Sequence, residues 1–185
     1  MTSSIMRFSL FFKFSKFFSI LKSFRYYFQA MPAGPLSAKR YGLSHPDDGC
    51  YWVRADPVKL LADHQQVFMR GYSGVELQKD QVESIIAKLN NLLAQDELEI
   101  IYLTSTQWLL KCKPGSFVVS NINNINYKNN TVWYSVTETL NKNINLFLPT
   151  GTNQSYWRRL FTECQMIMQD NENNSLWFWG GGVSQ

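Results

Sequence analysis

Arg54 and Asp56 stand two residues apart in the segment Tyr51-Trp52-Val53-Arg54-Ala55-Asp56-Pro57-Val58. A guanidinium can grip phosphate or carboxylate through two parallel hydrogen bonds. Ligands of α/β sheets gather beyond the carboxyl ends of strands. Far along the chain, Leu176-Trp177-Phe178-Trp179 runs into Gly180, Gly181 and Gly182. Glycine permits positive φ and close approach of another group, and a strand entering a Gly-rich turn is one way to build a phosphate cradle. Arg54, Asp56, Gly180, Gly181 and Gly182 are therefore the candidate ligand-binding residues. Two readings stay open. Either these groups hold a small phosphorylated or carboxylate ligand, or Arg54 pairs with Asp56 or another acid at a sheet edge and the glycines only make a turn. The glycine run is weaker than GxGxxG, because no helix follows it to place its N-terminus behind a phosphate.

Other chemistry is sparse. The two histidines, His45 and His64, fall in expected loops and show no metal-ligand spacing. Cys50, Cys112 and Cys164 are odd in number and far apart, so they suit neither a disulfide framework nor a CxxC site. Reduced thiols in the cytoplasm are the expectation, with Cys164 a small core residue on a helical stripe. No P-loop and no GxSxG elbow occurs. Adjacent acids such as Asp96-Glu97 read as solvated surface charge. No catalytic residue, metal ligand or cofactor is assigned from the sequence.

A chain of 185 residues with 45% hydrophobic and 15% aromatic residues can fill one domain core. The formal charge of +4 is unevenly spread: seven of the 18 basic residues, and none of the 14 acidic ones, lie in residues 1–40. The remainder is mildly acidic and lacks the basic patch that nucleic acid requires. Residues 6–28 hold eight of the 13 phenylalanines. Basic residues interrupt that run too often for a membrane span or a secretory signal. Contact with a membrane surface through residues 6–28 is the lesser reading, because Lys13, Lys16, Lys22 and Arg25 scatter around a helical wheel.

Several elements must position the candidate site. Pro32-Ala33-Gly34-Pro35 marks a boundary, which gives a basic aromatic segment over 1–40 and a domain over 41–185. Tyr51 onward predicts a strand closed by Asp56-Pro57. Val67–Arg70 predicts another. Val82, Ile85, Ile86, Leu89, Leu92 and Leu93 place one apolar face on a helix from about 79 to 95. Leu98–Leu103 and Gln107–Cys112 predict a hairpin. Phe117–Val119 and Thr131–Val136 read as strands on either side of Asn121–Asn130, within an Asn-rich excursion over 121–145. Ser155 predicts the cap of a second helix, whose stripe is Trp157, Leu160, Phe161, Cys164, Ile167 and Met168. The final strand follows and ends at the glycines. The fold class is α/β in the α+β sense: a single small domain, a mixed sheet with two amphipathic helices on one face, and the N-terminal aromatic segment.

Four segments in this order, Tyr51–Val58, Leu148-Pro149, Glu163-Cys164-Gln165-Met166 and Asn174–Gly182, resemble the bacterial RpfE-type regulatory proteins, a family similar to cofactor-independent phosphoglycerate mutases. The resemblance covers about residues 46–182. It implies a non-catalytic regulatory or binding domain with an unknown protein partner or a small phosphorylated ligand. The alternative it carries is a phosphomutase-related enzyme, or a truncated remnant of one. The metal ligands and nucleophile of those mutases belong to a core that no segment here matches. The family usually carries a His-Pro-Val-Asn segment and then an Arg and a Gly before the last strand. Here Met168–Asn174 is shorter and lacks them.

Overall fold

A computed structural model describes residues 32–121, 134–148 and 153–183. The aromatic segment at 6–28, the Asn-rich run 122–130 and residues 131–133 of the expected strand Thr131–Val136 lie outside the described residues.

The domain is built around β1 (Tyr51–Asp63), a strand of 13 residues. Three strands pair with it, all antiparallel. β5 (Ser175–Val183) runs along residues 51–58, β4 (Gln107–Cys112) along 51–54, and β2 (Gln66–Gly71) folds back on 59–63. β3 (Leu98–Thr104) completes the five-stranded sheet as a hairpin with β4. The α+β single domain is as expected, but the strand directions are antiparallel throughout rather than mixed.

Asp56-Pro57 does not end the first strand. Pairing with β4 stops at Arg54 and pairing with β2 begins at Asp63 through Lys59, so over 55–58 only β5 lies alongside. Pro57 sits in that gap, where a missing N–H costs the ladder little.

One face of the sheet carries the main core. The helices α2 (Lys79–Leu93) and α5 (Gln154–Met168) pack there. They bury Ile85, Leu89, Leu160, Cys164 and Met168 against Val53, Ala55, Val58, Leu110 and Phe178. The two stripes read from the sequence are thus the buried faces. Each fully buried Leu or Met contributes roughly 1.5–3 kcal/mol. α5 begins at Gln154 with Asn153 at its cap position, so Ser155 lies in the first turn rather than capping it.

The opposite face bears a satellite cluster of Ala38, Cys50, Trp52 and Leu109 under α1 (Ala33–Arg40). The sequence places residues 33–40 with the N-terminal segment, because Pro32-Ala33-Gly34-Pro35 reads as a boundary. They form a helix whose N-terminal turn accommodates proline and which lies against β1 and β5 in the same compact unit.

Two further expectations are corrected. Phe117–Asn121 is the short helix α3, with Ser116 Oγ accepting from Val119 N–H. Val136–Thr139 is the helix α4, opened by a capping box in which Ser135 and Glu138 bond each other's backbone N–H. Both segments carry β-branched residues that suit strands, and local serine caps decide in favour of helix.

Candidate functional site

Arg54 and Asp56 lie on the same side of β1 because side chains two apart share a face. The structure joins them directly. Arg54 donates from Nε and Nη2 to Asp56 Oδ1 at 3.0 and 2.6 Å. The other carboxylate oxygen accepts from Trp179 Nε1 at 2.8 Å and from Tyr72 Oη at 3.3 Å. The register of β1 with β5 sets Trp179 opposite Arg54, and the guanidinium carbon lies 5.2 Å from the indole centroid. Arg54 Nη1 reaches Ser37 Oγ in α1 at 3.4 Å. Five side chains from four parts of the chain thus close on one another.

The cluster is dry. Asp56 is fully buried and Arg54 is 7% exposed. Burial is the largest influence on Asp56 and pushes its pKa up. Arg54, Trp179 and Tyr72 act against it, but the net direction is upward. The Tyr72 hydroxyl is pushed up to about 12, first by burial and then by the carboxylate beside it. Removing two charges from water is expensive, and a buried pair persists only when its remaining hydrogen bonds are made. Here they are. Nε and Nη2, the guanidinium edge that would grip a ligand, are spent on Asp56.

The glycines do something other than make a turn. β5 continues through them to Val183. Between Trp52 and Arg54 the register slips, with Trp52 opposite Gly182 and Arg54 opposite Trp179, so an extra residue bulges from β5. Gly180 takes φ +61°, as such a bulge requires. A Cβ on Gly180 would lie 2.7 Å from Ala33 Cβ, and one on Gly181 would lie 2.6 Å from Tyr51 Oη. Gly34 is equally constrained, facing the carbonyl oxygens of Trp52 and Gly180. The glycine run therefore lets α1 and the Tyr51 ring press onto the sheet. Its link to Arg54 and Asp56 passes through Trp179, its immediate neighbour.

Sequence reasoning missed Ser37, Tyr72 and Trp179 as members of this cluster. Strand register could have suggested Trp179. Ser37 lies in the stretch assigned to the N-terminal segment and Tyr72 in a loop, and no local signal pairs them with Asp56.

His45 lies in a loop and His64 in the turn between β1 and β2, as expected. All three cysteines are free and buried. Burial raises their thiol pKa values, that of Cys164 to about 12. Among the described residues no three His, Cys, Asp or Glu side chains gather in a way that could hold a metal ion. Compared with known proteins, the chain shows no significant match to a family model, a curated protein or a solved structure.

Proposed function

We propose that this chain is a non-catalytic binding or regulatory domain of the RpfE type, acting on a protein partner in the cytoplasm. The observation that carries this reading is the closure of the Arg54–Asp56 cluster. The strongest polar constellation near the candidate site spends its hydrogen bonds internally, so it serves to fasten β1, β5 and α1 together. That leaves the outer surface of the domain to do the binding. The resemblance of Tyr51–Val58 and Asn174–Gly182 to RpfE-type proteins supports the same reading. The buried thiols suit a reducing compartment. Among the described residues, no helix is long and apolar enough to cross a membrane.

The test is thermal unfolding of the full chain with and without 3-phosphoglycerate and Mn²⁺, together with a phosphomutase assay of the same samples. A ligand at about 100 times its Kd adds roughly 2.7 kcal/mol and visibly raises Tm. The expected result is one cooperative transition with an unchanged Tm and no turnover. A clear rise in Tm would replace the protein partner by a phosphorylated ligand. Metal-dependent turnover would favour the phosphomutase-related alternative.

A further inference from the structure

We infer that α1 is a strap which opens as a unit before the rest of the domain unfolds, and that Arg54 is the clasp holding it shut. An isolated helix of eight residues has no stability of its own in water, so α1 exists only while docked. Its own contribution to the docking face is small. The side chains it buries are those of Pro35 and Ala38, and Gly34 adds a close backbone contact but no side chain. They rest on the satellite cluster of Cys50, Trp52 and Leu109, whereas the large core that holds the sheet together lies on the opposite face. Elements with little buried apolar surface are drawn from the low end of local stability.

The helix ends in a glycine cap. Gly42 takes φ +68° with open space around it, and Leu43 N–H bonds back to Ala38 C=O. The loop from Leu43 to Cys50 separates this cap from β1, which starts at Tyr51. Beneath the helix lies the buried ion pair, tied to it by Arg54 Nη1 and Ser37 Oγ. Lifting α1 uncovers Trp52 and Leu109, but it also returns water to the guanidinium, which relieves part of the desolvation that burial imposes and offsets part of that loss. The strap thereby sets whether Arg54 can be reached from solvent. This inference stands independently of the proposed function.

Hydrogen exchange of the full chain, read by mass spectrometry at rising sub-denaturing guanidinium concentrations, tests it. The expected result is that amides of residues 37–43 exchange through an opening at least tenfold more frequent than that of residues 51–58, with little dependence on denaturant. Ser37→Ala should raise the opening of 37–43 by roughly two- to tenfold, the equivalent of one ordinary hydrogen bond, and leave 51–58 unchanged. If both segments share one opening constant and one denaturant slope, α1 is not a strap. If Ser37→Ala leaves 37–43 unmoved, Arg54 is not its clasp.

Discussion

Trp179 donates its indole N–H to Asp56 Oδ2 at 2.8 Å across 123 residues of chain. The bond ties β5 to β1 by side chains as well as by the ladder. It also completes the shell that makes a buried carboxylate tolerable beside Arg54.

Removing one partner of this pair should be far worse than removing both. Arg54→Ala leaves Asp56 buried without its cation, and is expected to cost about 3–5 kcal/mol. The double change Arg54→Met with Asp56→Leu should recover much of that loss, because apolar replacements need no hydrogen bonds. Chemical denaturation of the three proteins checks this. An Arg54→Ala variant as stable as the parent would show that the pair is not the fastening described above.

The pH dependence has a defined sign. The folded protein raises the pKa of Asp56 above its ordinary value, so the folded state binds that proton more tightly than the unfolded state does. Its contribution to stability is greatest below the unfolded pKa and is lost as pH rises through the folded pKa. Glu138 works in the opposite sense. Its bonds from Ser135 lower its pKa, and its contribution fades as pH falls, but it is exposed and its effect small. Denaturation midpoints of the parent and Asp56→Asn should therefore diverge, with the flatter profile belonging to the variant.

Gly180→Ala should destabilise by about 1–2 kcal/mol from its positive φ alone, and by more through the collision with Ala33. Gly74→Ala is the control, because Gly74 has φ +76° and nothing within 4 Å. The excess loss at Gly180 over Gly74, read from thermal unfolding, measures the close packing of α1 on the bulge. Equal losses would mean that α1 simply moves aside.

Asn174 closes its carboxamide on Leu60, accepting from its N–H at 2.8 Å and donating to its C=O at 3.0 Å. Asn90 does the same for Ile100 at the edge of β3. Each amide acts as one extra rung on a strand. Asn174→Ala should cost about 2 kcal/mol by leaving two backbone groups of a buried residue unpaired. Asn174→Asp should cost about half, since it keeps the acceptor for Leu60 N–H. A neutral Asn174→Ala would indicate that water replaces the side chain.

Much of this architecture was legible in the sequence, and the failures have identifiable causes. The stripes of α2 and α5 and the β3–β4 hairpin follow from periodicity, which depends on burial alone. Ser135 and Glu138 formed a readable capping box that the β-branched run Thr131–Val136 overshadowed. Pro57 read as a terminator because the sequence does not reveal which stretch of a strand lacks a neighbour. Gly180–Gly182 read as an exit because a bulge is defined by its partner strand, and that partner lies far away. For the candidate site, Arg54 and Asp56 were identifiable and their pairing was one of two open readings. Ser37, Tyr72 and Trp179 were not, since only tertiary structure brings them to one carboxylate.

The pairing of β1 with β5 also has a consequence for how the chain is made. Residues 51–58 must wait for residues 175–183 before that edge is covered. At roughly 5–20 residues per second, a ribosome needs on the order of ten seconds to supply the missing partner. Until then Trp52, Val53 and Ala55 belong to a nascent strand with one side unclaimed. Such late closure slows folding and leaves this edge open to wrong partners during synthesis.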